Sequence, residues 1–560
     1  MSNKEISDVI ELTGKLMTLH GEDETRAKVY GATAFNLDRL EEDLFKMSDE
    51  ELLKVRGVSK SMLVNITLIK EKGITDELQI LIDKTPEGVL EMFKVKGIGV
   101  KKIKALWEEL GIDNLNDLQI ACESGKISEL KGFGGKIQYK ILESLQFLRQ
   151  QSGKLRMNQG AELSKEILTD LKNKFSKIKE VGAIPRKLET VDKLSFLAVG
   201  VFLDKTKLGE NYQEDLRLSS PYTWRGKYES NQILIEIQLV EELNFGQEEL
   251  LANASEDHLK RNVEDGQTSF YHYVTSNIFE ASEDYYAGFG SNFIVPEMRE
   301  GLNEFEWIKE NTNDSLISWQ ALRGSLHNHS KYSDGKNTLL EMSEACRDLG
   351  LEYFGIADHS QTATYANGLP AGKVMQQQME IDEINKALTP FKVLKGIESD
   401  ILGNGGLDYE NDTLATFDYV VASVHSNLDM SIERATDRVM KAVENPYTTI
   451  LGHPTGRLLL SRKGYPLDFK KIIDACAANK VIIEINASPY RLDIDWRWIP
   501  YCLEKEVMLS INPDAHKIES FQDMHYGVSV ARKAGLTKDM TFNAMPLEEI
   551  ETYLKKVKPS

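Results

Sequence analysis

Between residues 327 and 516, seven short polar motifs interrupt an otherwise apolar pattern and restrict what the C-terminal half can fold into. They are His327-Asn328-His329, Ser333-Asp334-Gly335, Asp358-His359, Gly396-Ile397-Glu398, Val424-His425-Ser426, Gly452-His453-Pro454 and Asp514-Ala515-His516, and they hold six of the chain's ten histidines. Most follow a strand-length apolar run, such as Tyr353-Phe354-Gly355-Ile356, Tyr419-Val420-Val421-Ala422 or Val507-Met508-Leu509-Ser510-Ile511. In a barrel of alternating strands and helices the C-terminal ends of all strands open on one face, so residues far apart in sequence can converge there. Imidazole and carboxylate without thiolate suit zinc, manganese or iron rather than Cu(I) or an iron–sulfur cluster. The pattern predicts two to three divalent ions at one barrel rim. Adjacent ions lower the pKa of a shared water toward ~7 and offset charge on phosphoryl oxygens, which favours phosphoester hydrolysis.

The segment from Leu322 to about Ala544 resembles the PHP (polymerase and histidinol phosphatase) superfamily, with the opening His-x-His, the Ser-Asp-Gly and the closing Asp-Ala-His in the expected order. The resemblance implies a distorted seven-stranded β/α barrel. It further implies that His327, His329, Glu398 and Asp514 hold one ion, Glu398, His425 and His453 a second, and Asp334, His359 and His516 a third, with Glu398 bridging two. Glu398, Asp514 and His425 would then carry the chemistry. Arg457 and Arg491 lie just beyond ligand motifs, and arginine's planar fork suits non-bridging phosphate oxygens.

A length of 560 residues predicts three to four domains, and 41% hydrophobic with 28% charged residues is ordinary for globular protein. No apolar run approaches a membrane span, and Met1-Ser2-Asn3-Lys4-Glu5 has no basic-then-apolar leader pattern, so a cytoplasmic chain with no membrane partner is expected. Cys122, Cys346, Cys476 and Cys502 show no paired spacing and are expected to be reduced, buried thiols. The net charge of -20 argues against broad attraction to nucleic acid, so any such binding must rest on a local cluster of cations.

Such clusters flank an internal repeat. Leu53-Lys54-Val55-Arg56-Gly57-Val58-Ser59-Lys60, Phe93-Lys94-Val95-Lys96-Gly97-Ile98-Gly99-Val100 and Leu130-Lys131-Gly132-Phe133-Gly134-Gly135-Lys136 share one pattern, with apolar residues at helical spacing on both sides. This is the helix-hairpin-helix pattern, in which a glycine turn lets backbone N–H groups at a helix N-terminus reach a DNA phosphate. Gly57, Gly97, Gly99, Gly132 and Gly134, with Lys101, Lys102 and Lys136, are the expected DNA contacts. The first copy is the poorest, since Ser59 replaces its second glycine.

Hairpins at the start and a PHP-like barrel at the end together resemble the bacterial family X DNA polymerases of the PolX type over essentially the whole chain. The stretch Gly288-Phe289-Gly290-Ser291-Asn292-Phe293-Ile294-Val295-Pro296-Glu297-Met298-Arg299-Glu300-Gly301 looks like that family's connection between palm and PHP domain. The resemblance implies an all-α hairpin domain over 1–150, a polymerase-beta-like α+β palm and thumb over 151–310, a linker over 311–320 and the PHP domain over 321–560. The palm departs from the family where catalysis would occur. Lys193 and Ser195 stand at the places of the Asp-x-Asp carboxylates, Asp192 is one position out of register, and Glu236 matches a third carboxylate. A lysine ammonium repels a divalent cation and serine adds no charge, so a palm that folds without polymerising is expected, with magnesium the ion to seek there. Asn65 stands where eukaryotic relatives carry a Schiff-base lysine, and an amide cannot make that imine. The expected activity is metal-dependent 3′–5′ exonuclease action on gapped, nicked or 3′-ended DNA by a monomer. The alternatives are a small-metabolite phosphomonoesterase, a gap-filling polymerase, and a scaffold that binds DNA without chemistry.

Overall fold

Each of the three hairpins turns on a glycine in the left-handed region, Gly57 at φ +96°, Gly97 at +93° and Gly132 at +90°, a conformation that side chains resist. Three residues later the next helix begins, at Lys60, Val100 and Gly135 respectively. The computed structural model describes residues 3–40, 42–200, 208–229, 231–262 and 268–557 of the chain. Met1 and Ser2, part of the N-terminal stretch read above, lie outside them. The chain divides into two compact units, Met1–Ser152 and Gly153–Ser560.

The described part of the first unit is helical, and its longer members are Asn3–Leu19, Glu24–Asp38, Lys60–Lys72, Val100–Leu110 and Gly135–Gln151. Their apolar stripes meet in one core that includes Ile6, Leu16, Leu37, Ile66, Ile103, Leu106, Leu118 and Ile141. Gly14 allows the first two helices to approach, because a Cβ there would lie 2.9 Å from that of Tyr30.

The second unit opens with a five-stranded sheet in the order Lys177–Val181, Lys193–Val199, Leu234–Val240, Thr223–Tyr228, Tyr212–Glu214. The two central strands run parallel in a register that sets Ser195 opposite Glu236. Helices Phe245–Ala252, Phe270–Ser276 and Ser282–Gly288 follow and share an aromatic core of Phe270, Tyr285 and Tyr286. The connection to the barrel is built into the structure: Leu316 and Ile317 are buried, and Lys533 donates to the Arg186 carbonyl and to Glu300.

The barrel strands are Gly324–Ser325, Tyr353–Gly355, Lys392–Leu394 continuing as Gly396–Asp400, Tyr419–Ser423, Ile450–Leu451, Ile482–Asn486 and Leu509–Asn512. Every pairing among them is parallel. A parallel bridge between Asn328 and Ala515 joins the first strand to the last, so seven runs close into a ring. Their burial is continuous rather than alternating, as expected for strands covered on both faces. All four cysteines are buried and unpaired.

Candidate metal centre

Ring closure brings the strand ends to one rim and so gathers the polar motifs. His327 and His329 lie just past the first strand, His359 past the second, Glu398 within the third, His425 and His453 two residues beyond the fourth and fifth, and Asp514 and His516 beyond the seventh. Asp514 adopts φ +54°, a left-handed conformation that aspartate tolerates better than most residues.

Glu398 sits at the centre. Its Oε1 lies 3.3 Å from His327 Nε2, 3.1 Å from His425 Nε2 and 2.9 Å from His453 Nε2, while its Oε2 is 3.8 Å from His329 Nε2 and 2.8 Å from His359 Nδ1. Asp514 Oδ1 stands 3.1 Å from His329 Nε2 and 3.7 Å from His327 Nε2. Asp334 Oδ1 is 3.4 Å from His516 Nε2 and 3.7 Å from His359 Nε2. These nine side chains form overlapping groups of three or four ligand atoms: His329, Asp334, His359 and His516; His327, His453 and Asp514; His327, His329 and Glu398; and His359, Glu398 and His425. The overlap means that His327, His329, His359 and Glu398 each face two groups.

A further layer, not foreseen from sequence, fixes these ligands. Glu484 is wholly buried; its Oε1 meets His327 Nδ1 at 2.7 Å and its Oε2 accepts the His453 backbone N–H at 2.7 Å. Asp400 Oδ1 meets His425 Nδ1 at 2.5 Å, and Asn486 Nδ2 donates to Asp514 Oδ2 at 3.1 Å. Asp358 accepts from Ser330, Ser333 and Gln377 and anchors the loop that carries Asp334. A carboxylate on the far nitrogen of a ligating imidazole selects its tautomer and raises its basicity.

The electrostatics follow from imidazoles and carboxylates crowded together out of water. Burial pushes the Glu398 and Asp514 carboxyls up, but the surrounding imidazoles hold both well below the usual carboxylate range. Burial also pushes the His425 imidazole down, yet Glu398 and Asp400 carry it to about 10; Asp334 and Asp514 likewise carry His516 to about 9. Burial, together with the neighbouring His516 and His359, lowers His329 to about 3. Glu398 Oε2, His327 Nε2, His329 Nδ1, His359 Nδ1 and His453 Nδ1 are buried without a hydrogen-bond partner. Unpartnered buried acceptors of this kind are costly, and divalent ions at the centre would satisfy those that face it. The donor set therefore fits the zinc, manganese or iron class.

Other expected residues fall variously. Arg491 reaches the ligands, with Nε 3.6 Å from Asp514 Oδ2. Arg457 does not: it pairs with Asp495 at 2.8 Å and donates to the Arg491 and Leu492 carbonyls, bracing the loop that carries Arg491. On the palm sheet Glu236 receives Lys193 at 2.6 Å on one oxygen and Arg225 at 2.6 Å on the other. A magnesium ion sought there meets two cations instead of a vacant carboxylate, and Asp192 points to solvent. At the hairpins, Lys101 and Lys136 are exposed and Lys102 is partly covered, its Nζ over the Phe133 ring. Ser59 Oγ accepts the Met62 N–H, spending a helix-start donor on its own side chain, whereas Gly99 and Gly134 cap their helices without one. Asn65 donates to the Tyr30 hydroxyl.

Residues 325–488 match the PHP domain family and residues 89–146 the SAM-like helix-hairpin-helix tandem family. The chain is 32% identical over 99% of its length to the whole of the DNA polymerase/3′-5′ exonuclease PolX of Bacillus subtilis (strain 168). It is also 26% identical, over 40% of its length and 89% of the relative's, to a probable phosphatase of Thermoanaerobacter sp. (strain X514). A probable phosphatase of Acetivibrio thermocellus is 29% identical over 27% of this chain and 58% of that relative. No described helix is long and apolar enough to cross a membrane.

Proposed function

The chain belongs to the PolX family, and from that premise we propose that it removes nucleotides from DNA 3′ ends by metal-dependent hydrolysis at the barrel rim, with a palm that no longer polymerises. The observation that carries the reading is the cluster of nine ligand side chains around Glu398, all buried or half-buried except Asp334, with unpartnered ring nitrogens among them. In this proposal His327, His329, Glu398 and Asp514 would hold one ion, Glu398, His425 and His453 a second, and Asp334, His359 and His516 a third. Divalent ions so held would offset charge on the phosphoryl oxygens and acidify a water for attack on phosphorus. Glu484 and Asp400 keep His327 and His425 oriented, and Arg491 offers its guanidinium to a non-bridging oxygen. The hairpins of the first unit grip the backbone without reading bases, the second and third more fully than the self-capped first. The domains would run 1–150, 151–310 and 321–560, acting as a monomer on gapped, nicked or 3′-ended strands.

The match of the barrel to probable phosphatases favours a second reading, a phosphomonoesterase of small metabolites. One experiment separates these. Purified protein with Mn²⁺ should shorten a 3′-labelled gapped oligonucleotide, add no nucleotide when a template and deoxynucleotides are present, and turn over phosphorylated metabolites far more slowly. Template-dependent extension would overturn the reading of the palm. Faster turnover of metabolites than of DNA would overturn the nuclease.

A further inference from the structure

Most arginines of the palm and of the barrel loop that meets it are paired with carboxylates: Arg186 with Glu300, Arg217 with Asp215, Arg225 with Glu236, Arg457 with Asp495, and Arg497 with Asp495 and Glu189. Arg156, at the start of the palm, is not: it has no ion-pair partner among the described residues, and its Nε is buried without a hydrogen-bond acceptor. Its guanidinium lies instead over the Tyr490 ring, 4.0 Å from the centroid. The placement follows from local structure. Leu155–Arg156 pairs antiparallel with Thr190–Val191, the Met157 N–H bonds to the Glu189 carbonyl, and Glu189 is tied to the barrel loop by the Trp496 indole and Arg497.

Tyr490 is 53% exposed, and the next residue is Arg491, whose Nε stands 3.6 Å from the ligand Asp514. The rim therefore presents, next to the metal ligands, an exposed aromatic ring backed by a cation with no counter-charge. A lone arginine on a ring beside a phosphoesterase centre has the chemistry of a single-strand nucleic-acid rest: a base stacks on the ring and the guanidinium meets a phosphate. We propose that Arg156 and Tyr490 form the seat for the unpaired nucleotides that precede the scissile phosphodiester, so that the palm supplies part of the nuclease's substrate site. The inference rests on the exonuclease reading above and deepens it by naming the residues that would hold the strand ahead of the cleaved bond. It also gives a palm without polymerase chemistry a reason to stay attached to the barrel.

Two measurements on the full chain test this. First, kcat/KM for a 3′-labelled single-stranded oligonucleotide is divided by kcat/KM for the thymidine 5′-monophosphate p-nitrophenyl ester, which has no preceding nucleotide. Arg156→Gln and Tyr490→Ala should each lower this ratio about tenfold, through KM, as expected for one lost stacking or phosphate contact. Tyr490→Phe, which keeps the ring, should recover most of it. Second, an oligonucleotide with 5-iodouracil next to its 3′ end, irradiated with the protein in EDTA, should crosslink to Tyr490. This readout does not depend on hydrolysis. If the parent protein trims DNA while both variants keep the parental ratio and the crosslink maps elsewhere, the seat is wrong and the exonuclease stands. If both substrates slow equally in the variants, the pair merely holds the rim in shape and the proposal falls. If the parent protein trims no DNA at all, the exonuclease reading fails and this proposal fails with it.

Discussion

The barrel rim holds a buried glutamate and the palm sheet a half-buried one where a phosphoryl-transfer centre would need it, and they differ in what meets it. Around Glu398 stand five imidazoles, and ring nitrogens are left without partners. Around Glu236 stand Lys193 and Arg225, one to each oxygen. Both carboxyls are held below their ordinary range against burial, but only in the palm do permanently charged side chains do it. In the palm the counter-charge is built into the chain as ammonium and guanidinium, which have no lone pair to offer an ion. At the rim it comes from imidazoles, whose neutral ring nitrogens can ligate one. On the palm sheet Ser195 is the register partner of Glu236, and Lys193, two residues before it, reaches the same carboxylate.

The largest test of this contrast strikes the barrel. Glu398→Gln keeps the shape of the central side chain and removes its charge. It should cost roughly 10³-fold or more in 3′–5′ exonuclease rate and at least one bound ion per chain by elemental analysis. Glu236→Gln in the palm should change neither exonuclease rate nor ion content. Equal effects of the two substitutions would erase the distinction between the sites.

A smaller effect is expected one layer out. Glu484 touches only nitrogens, His327 Nδ1 and the His453 backbone N–H, together with the amides of Asn512 and Asn486. Glu484→Gln should weaken ion binding about 10- to 100-fold, the usual cost of losing a carboxylate behind a ligating imidazole. Competition with a chelator of known affinity measures it. Unaltered affinity would mean that the ligands are fixed by the strands alone.

Glu484 also marks where the sequence stops being informative. The candidate ligands were legible because most of the polar motifs break an apolar run at a strand end, and the three hairpins because Gly57, Gly97 and Gly132 recur in one pattern. Glu484 lies inside the apolar strand Ile482–Asn486, where a charge is a signal of burial with a partner but carries no hint of which partner. Arg457 shows the converse. Its closeness in sequence to His453 suggested a role at phosphate, yet the loop that folds back from Asp493 to Asp495 takes its guanidinium instead. Arg156 stands well over three hundred positions before Tyr490, and no local pattern announces a contact made by tertiary packing.

The smallest effect lies in the palm's response to acid. Burial pushes the Glu236 carboxyl up, and hydrogen bonds from Lys193 and Arg225 more than reverse this, so its folded pKa lies below that of the unfolded chain. A depressed carboxyl pKa contributes stability that is present above the unfolded value, near 4.5, and is lost as pH falls through the folded one. In Lys193→Ala only Arg225 remains, the depression shrinks, and less stability is left to lose. Because Lys193 is 39% exposed, water screens the pair, and the difference between parent and variant should stay within about 1 kcal/mol. Urea unfolding followed from pH 6 down to pH 3 should therefore give a shallower decline for Lys193→Ala than for the parent. Superimposable curves would mean that Lys193 does not neutralise Glu236, and that the palm's closure to ions rests on Arg225 alone.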